Sequence, residues 1–117
     1  MRKNVLVVDD NYDDLDFVKK ILDKEGYDVT AATNGAKAMD ALSSGVNFNL
    51  ILIDIKMPTL SGYDLLRLIR ERLNHSAKML YISVVKKKNV DMNDVDGFIQ
   101  KPVSAARLVK EVKRVIH

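Results

Sequence analysis

Short apolar runs alternate with segments of helical periodicity along the chain, and this alternation limits the folds that the chain can adopt. Each run is short, and the first is also rich in β-branched residues, so these runs predict strands rather than helices. The predicted strands are Val5–Val8, Tyr27–Ala32, Phe48–Ile53, Met79–Ile82 and Asp96–Gln100. Strands that alternate with helices form a parallel sheet covered on both faces. The sequence therefore predicts an α/β fold, a three-layer α/β/α sandwich around a five-stranded sheet.

Four segments show the apolar spacing of an amphipathic helix. The first runs from Asn11 to a stop signal at Gly26, and His75 is expected to end the third. The segments are residues 11–25, 36–42, 62–73 and 104–116. The last helix is expected to turn inward Ala105, Leu108, Val109, Val112, Val115 and Ile116. Residues 84–96 lack a clear helical period, so the helix expected between the fourth and fifth strands is short or irregular.

Polar residues follow four of the five predicted strands. Asp9 and Asp10 follow the first strand, Asp54 the third, Ser83 the fourth and Lys101 the fifth. Open parallel sheets bind ligands outside the carboxyl ends of their strands, so these side chains are expected to converge there. Converging acids would repel one another, which predicts raised pKa values and stabilisation by a cation. Structural roles also stay open for these residues. Asp9, Asp10 and Ser83 could be helix caps, Asp54 a turn residue and Lys101 a solvated lysine.

Composition narrows the class of protein further. A length of 117 residues fits one domain, and the absence of cysteine excludes disulfides and thiolate metal sites. The net charge of +3 does not demand nucleic acid, which is an unlikely partner. No apolar run is long enough to span a bilayer, so no membrane association is expected. These features predict a soluble cytoplasmic protein.

Four sequence segments occur in an order that is typical of one family. They are VVDDN, DIKMPTLSGYDLL, YIS and QKP, and together they extend over nearly the whole chain. In this respect the chain resembles the receiver domain of two-component response regulators. The resemblance implies one receiver domain over residues 1–117. It also implies a flavodoxin-like sheet with strand order 2-1-3-4-5.

The resemblance also implies a role for each candidate site residue. Asp54 would be the phosphoacceptor. Mg²⁺ would be bound directly by Asp10 and Asp54, through water by Asp9, and by the backbone carbonyl of Lys56. Lys101 would pair with the phosphoryl oxygens.

Two further residues are implied as parts of a switch. Ser83 would donate a hydrogen bond to the phosphoryl group, and Phe98 would be an aromatic switch residue on the fifth strand. The implied partners are a histidine kinase or phosphotransfer protein and a downstream protein bound through the 84–117 face. The expected state is a monomer or weak dimer. The protein would not be an enzyme beyond catalysing its own phosphorylation and dephosphorylation.

The sequence departs from the family pattern after the fourth strand. The segment between Ser83 and Lys101 is shorter than usual, and Val84 stands where the family has a small residue. These departures motivate an alternative, a constitutive receiver-like interaction module with little phosphorylation-dependent switching. A phosphatase with an aspartate nucleophile is a third hypothesis. It is disfavoured because such enzymes typically carry a second acid at the position of Lys56.

Overall fold

The computed structural model describes residues 2–73 and 76–116, which contain a parallel sheet between layers of helices. The strands are β1 (Asn4–Val8), β2 (Asp28–Ala32), β3 (Leu50–Asp54), β4 (Lys78–Ser83) and β5 (Gly97–Gln100). They lie side by side in the order β2-β1-β3-β4-β5, and every neighbouring pair is parallel. The predicted fold class and strand order are confirmed.

The helices begin where polar side chains cap their first turns. They are α1 (Tyr12–Lys24), α2 (Gly35–Leu42), α3 (Gly62–Leu68) and α4 (Ala105–Ile116). The side chains of Asn11, Asn34 and Ser61 each accept a backbone N–H from the first turn of the helix that follows. Such caps satisfy donors that have no partner within the helix. After α1 the chain turns at Gly26 with φ of 91°, a left-handed conformation that glycine adopts without strain.

Two segments depart from regular α-helix. The third helix continues as a π-helix over Ile69–Leu73, and its expected end at His75 lies outside the described residues. Between β4 and β5 the chain forms only a single 3₁₀ turn, Lys87–Asn89. This confirms the prediction of a short or irregular helix there. The segment has no amphipathic stripe that a longer helix could bury.

The core lies on both faces of the sheet. All five residues of β3 are buried, as expected for a central strand of a parallel sheet. Helices α2 and α3 contribute Ala38, Leu65 and Leu66 to one face, while α1 and α4 cover the other. The last helix buries Leu108, Val112 and Ile116, but Ala105 is exposed, so its predicted inward position is wrong. Ala105 is the first residue of α4 and contributes to a shallow groove between α1 and α4.

The register of the central strands places chain segments with polar residues at one edge. Val8 pairs with Ile53, so the residues that follow them, Asp9 and Asp54, are neighbours. On the other side of β3, Asp54 pairs with Ile82, the residue before Ser83. Strands that are neighbours in the sheet therefore place these side chains at the same end of the sheet.

Candidate functional site

Three acids meet at the carboxyl edge of the sheet. Asp54 is the last residue of β3, and Asp9 and Asp10 follow β1 directly. The side chains of Asp9 and Asp54 are 1% and 6% exposed, whereas Asp10 is exposed. One carboxylate oxygen from each acid lies within 4.8 Å of the others. The side chains that the sequence predicts to converge here thus lie together.

Lys101 supplies the positive charge of the site. It follows the edge strand β5, and its side chain, 8% exposed, reaches the acids across the end of β4. Its Nζ lies 2.8 Å from Asp9 Oδ2, 2.9 Å from Asp14 Oδ2 and 3.2 Å from Asp54 Oδ2. The peptide bond from Lys101 to Pro102 is cis. One buried ammonium therefore bridges three carboxylates.

The site holds more negative than positive charge. Burial, followed by the charge of Asp9, raises the pKa of Asp54 to about 6, and Lys101 and the Lys56 N–H only partly offset these effects. Burial alone would lower the pKa of Lys101, but hydrogen bonds to Asp9 and Asp14 outweigh it and raise that pKa. The raised pKa of Asp54 has the direction expected from converging acids, with burial as the larger cause and the charge of Asp9 as the next. At neutral pH, Lys101 is charged and Asp54 is mostly ionised.

Backbone N–H groups fix the orientation of the two buried acids. Asp9 Oδ1 accepts the N–H of Asn11 at 2.9 Å, and Asp54 Oδ1 accepts the N–H of Lys56 at 3.1 Å. These bonds leave the Oδ2 atoms of both acids directed at Lys101. The carboxylates are thus held in defined orientations, as a metal or phosphoryl site requires.

Gly62 allows helix α3 to begin close to the phosphoacceptor candidate. Its N–H donates to the carbonyl of Ile55 at 2.8 Å. A Cβ at this position would overlap the carbonyl oxygen of Asp54 and approach the Cα of Ile55 to 2.8 Å. Backbone cannot move aside as a flexible side chain can, so only glycine fits here.

The predicted switch residues lie on β4 and β5. Ser83 is fully buried, and its Oγ accepts the N–H of Val85 at 3.2 Å, which leaves its own O–H as a donor. Phe98 is half-buried and packs against the core on the α2–α3 face. Val84, where the family has a small residue, is 56% exposed. Lys56 is exposed beside Asp54.

Two residues around Lys101 were not predicted from the sequence. Asp14 provides the third carboxylate on Lys101 Nζ. Gln100 donates from Nε2 to the carbonyl oxygens of Ser83 and Val84 at 3.0 and 3.2 Å, which ties the ends of β4 and β5 together. The available signal for Asp14 was its place in the first turn of the helix that directly follows the acid pair.

The donor set fits a hard divalent cation. All of its side-chain ligand candidates are carboxylate oxygens, which Mg²⁺ prefers over nitrogen or sulfur. Lys101 Nζ is shared by three carboxylates, so its single positive charge does not compensate the acids. Asp9, Asp10 and Asp54 therefore offer the type of ligand atom that Mg²⁺ binding requires.

Comparison with known proteins defines the class. The family model described as response regulator receiver domain matches residues 5–113. The chain belongs to the response regulator receiver domain family. This confirms the resemblance found in the sequence, and with it the assignment to two-component signalling.

Curated relatives carry similar segments in longer proteins. The chain is 32% identical over 120 residues to the hybrid signal transduction histidine kinase L of Dictyostelium discoideum, covering 94% of this chain and 7% of that protein. It is 29% identical over 119 residues to the two-component response regulator ORR7 of Oryza sativa, covering 96% and 56%. With the response regulator SaeR of Staphylococcus epidermidis it shares 28% identity over 117 residues, covering 97% and 50%. The chain thus spans less than two thirds of each of these relatives.

Solved structures show the same fold. A CheY-like receiver domain protein from Methanospirillum hungatei superposes with a TM-score of 0.85 at 31% identity, covering 97% of this chain and 93% of that one. The response regulator TrrA from Thermotoga maritima, solved in complex with Mg²⁺ and beryllofluoride, gives a TM-score of 0.84 at 30% identity, covering 97% of this chain and 98% of that one.

Within the described residues, no helix is both long and apolar enough to cross a membrane.

Proposed function

We propose that this chain takes a phosphoryl group onto Asp54 from a phosphohistidine of a histidine kinase or phosphotransfer protein. The observation that carries the proposal is the 3.2 Å contact between Lys101 Nζ and Asp54 Oδ2, beside the oxygens of Asp9 and Asp10. Family membership supports it, as do relatives named as response regulators. Partner kinases of this kind act in the cytoplasm, where we also place this chain.

The proposed transfer forms one bond and breaks one. A carboxylate oxygen of Asp54 attacks the phosphorus, the bond from phosphorus to the donor nitrogen breaks, and its electron pair stays on that nitrogen. Phosphoryl transfer asks the protein mainly for positioning and charge neutralisation. With a pKa of about 6, Asp54 is mostly ionised at neutral pH and can act as the nucleophile.

Mg²⁺ is the proposed cofactor, held directly by Asp10, Asp54 and the backbone carbonyl of Lys56 and through water by Asp9. When bound, it neutralises charge on the acids and on the phosphoryl oxygens. The neighbour TrrA was solved with Mg²⁺ and beryllofluoride, which supports this assignment for the family fold.

Lys101 and Ser83 are proposed to stabilise the transferred group. The ammonium of Lys101 already lies beside Asp54, so it can pair with a phosphoryl oxygen after little movement. Ser83 is the last residue of β4, the strand next to Asp54, and its O–H is a donor suited to the same group. Both residues lie at the carboxyl ends of strands, where the sheet fixes their backbone.

Output is proposed to pass through the 84–117 face. A cavity of about 370 Å³ lies there between β5 and α4, beside the half-buried Phe98. Its charged lining residues are mostly basic, namely Lys87, Arg107, Lys110, Glu111 and Arg114. An acidic protein surface would complement this face, and phosphorylation would shift the population of its bound form.

A small-molecule phosphodonor tests the proposal. Incubation with acetyl phosphate and Mg²⁺ is expected to add one phosphate to the intact mass, whereas Asp54→Asn adds none. The matched control Asp16→Asn, at an exposed acid on α1, is expected to behave as wild type. An unchanged mass for the wild type, or the same gain in Asp54→Asn, would contradict the proposal. Partner binding that ignores phosphorylation would favour the constitutive module.

A further inference from the structure

A closed ring of hydrogen bonds joins the start of helix α1 to Lys101. Asn11 donates its N–H to Asp9 Oδ1 at 2.9 Å, and its own side-chain oxygen accepts the N–H of Asp14 at 3.0 Å. Lys101 Nζ closes the ring through Asp14 Oδ2 at 2.9 Å and Asp9 Oδ2 at 2.8 Å. The cap thus holds the backbone of Asp14 in the first turn, and the carboxylate of the same residue contacts Lys101.

The ring leaves Lys101 without a spare donor. An ammonium carries three N–H groups, and the Nζ of Lys101 has three carboxylates within 3.2 Å, those of Asp9, Asp14 and Asp54. A phosphoryl oxygen arriving on Asp54 also needs one of these donors. Asp54 loses its carboxylate charge when its oxygen bonds to phosphorus, so its contact with Nζ weakens and the phosphoryl oxygen shares the ammonium with Asp9 and Asp14.

Of the two carboxylates that then share Lys101 with the phosphoryl group, Asp14 is held less firmly. Its side chain is 41% exposed, so water can replace the ammonium. Asp9 is nearly fully buried, and an unpaired carboxylate there would lose charge compensation without gaining solvent. Asp9 is also fixed by the N–H of Asn11 on its other oxygen.

We propose that Asp14 is a positioning residue for Lys101, which it holds beside Asp54 in the free site and whose charge it shares with an arriving phosphoryl group. The inference rests on the proposed phosphoacceptor function. Asp14 then competes with the phosphoryl group for the ammonium, and this competition sets how tightly the site retains that group. Removing the carboxylate of Asp14 strengthens phosphoryl binding while leaving the nucleophile and the metal ligands in place.

The competing interpretation is that Asp14 is only an acid in the first turn of a helix, where negative charge is generally favourable. Asp13 provides the matched control for this interpretation. It lies in the same turn, is exposed, and borders the same shallow groove beside Pro102 as Asp14 does. Asp13→Asn removes the same charge from the same turn and keeps the Lys101 pairing.

Beryllofluoride at saturating Mg²⁺ is the probe for phosphoryl binding. Asp14→Asn is expected to bind it about twofold to fivefold more tightly than wild type, the range for one partly exposed ion pair. Asp13→Asn and Asp14→Glu are expected to stay near the wild-type affinity. Equal tightening in Asp13→Asn, or no tightening in Asp14→Asn, overturns the proposed role of Asp14 and leaves the proposed phosphoacceptor function standing. Absence of binding in every variant, wild type included, overturns the proposed function and this inference with it.

A second readout needs neither metal nor phosphoryl analogue. In the ¹H–¹⁵N spectrum of lysine ammonium groups, assigned by loss of one signal in Lys101→Arg, Asp14→Asn is expected to move the Lys101 resonance in the metal-free protein. Asp13→Asn is expected to leave it in place. Addition of Mg²⁺ and beryllofluoride to wild type should move the same resonance, because the ammonium then pairs with the beryllofluoride. A resonance that is insensitive to Asp14→Asn would show that the ion pair does not position Lys101.

Discussion

The acidic edge of the sheet and the connection between β4 and β5 are held in different ways. At the edge, strand register and backbone N–H groups fix Asp9 and Asp54. The connection has one 3₁₀ turn, and individual side chains attach it to α3 and its π-helical continuation. Tyr63 Oη accepts the N–H of Asp91 at 3.1 Å, and Arg70 donates to the carbonyl of Asp94 at 3.4 Å. The proposed chemistry thus lies where strand register fixes the side chains, and the proposed output face includes a segment attached by individual side chains.

This contrast explains why one region tolerates departures from the family pattern and the other does not. A shift of one residue in β1 or β3 would move every side chain to the opposite face of the sheet. The connection instead depends on separate contacts, including Val90 and Val95 against the core. Shortening it removes helical turns without disturbing the register of β4 and β5.

The largest expected effect comes from Gly62→Ala, which tests the rigidity of the acidic edge. The added Cβ would overlap the backbone of Asp54, so α3 or the end of β3 must shift. We expect a loss of about 2–4 kcal/mol in the free energy of unfolding by denaturant titration. Gly45→Ala is the control, with φ of 94° and no heavy atom within 4 Å of the added Cβ, and should cost only about 1 kcal/mol. Equal costs would show that the edge can adapt as the connection can.

The next effect concerns pH and the buried charge at the same edge. Because the folded pKa of Asp54 is raised to about 6, its contribution to stability is present below the unfolded pKa of about 4 and is lost as pH rises through 6. Asp54→Asn should flatten this decline and stabilise the protein by about 1–3 kcal/mol at pH 7. Unfolding curves between pH 4 and pH 7 measure it. A wild-type curve that rises across this interval would contradict the charge imbalance.

Added Mg²⁺ is expected to stabilise the protein by binding the folded acids. At ten times its Kd the gain is about 1.4 kcal/mol, seen as a higher melting temperature at pH 7. Ca²⁺-free buffer with Na⁺ at matched ionic strength is the control for screening. A melting temperature that does not respond to Mg²⁺ would count against a metal site at this edge. Protection against hydrogen exchange should rise near residues 9 and 54 more than in the connection.

The smallest effect should come from Tyr63→Phe, which removes one attachment of the connection. The Asp91 N–H loses its partner, and the ring contact with Tyr81, 5.3 Å between centroids, is retained. We expect a cost of about 0.5–1.5 kcal/mol and faster hydrogen exchange confined to residues 87–96. Tyr12→Phe, at a highly exposed position, is the control. Faster exchange at the acidic edge as well would show that the two regions are not independent of each other.

The same contrast separates what was predictable from sequence. Asp9, Asp54 and Lys101 were identified because a parallel sheet brings the ends of its strands to one edge, whatever the packing details. The pairing of Asp14 with Lys101 was not, because helical periodicity defines the face on which a residue lies and not its distance from a side chain that follows β5, four strands later in the chain. Ala105 was misplaced for a related reason, since apolar spacing does not show where a helix extends past the core.

The connection marks the other limit of prediction. Its lack of helical period indicated an irregular segment, which the 3₁₀ turn confirms. The periodicity of residues 84–96 carries no information on Tyr63 or Arg70, because these residues lie on α3 and its π-helical continuation and contact the segment through individual hydrogen bonds. Contacts of this kind depend on the final packing of α3 against the sheet.

Trapping the phosphorylated residue tests the central claim most directly. Borohydride reduces an aspartyl phosphate to homoserine, so protein treated with acetyl phosphate and Mg²⁺ and then reduced carries a permanent mark at the acceptor. Peptide sequencing by mass spectrometry is expected to find homoserine at position 54 only. Homoserine at position 9 or 10, or at none of the acids after efficient phosphorylation, would contradict the assignment of Asp54.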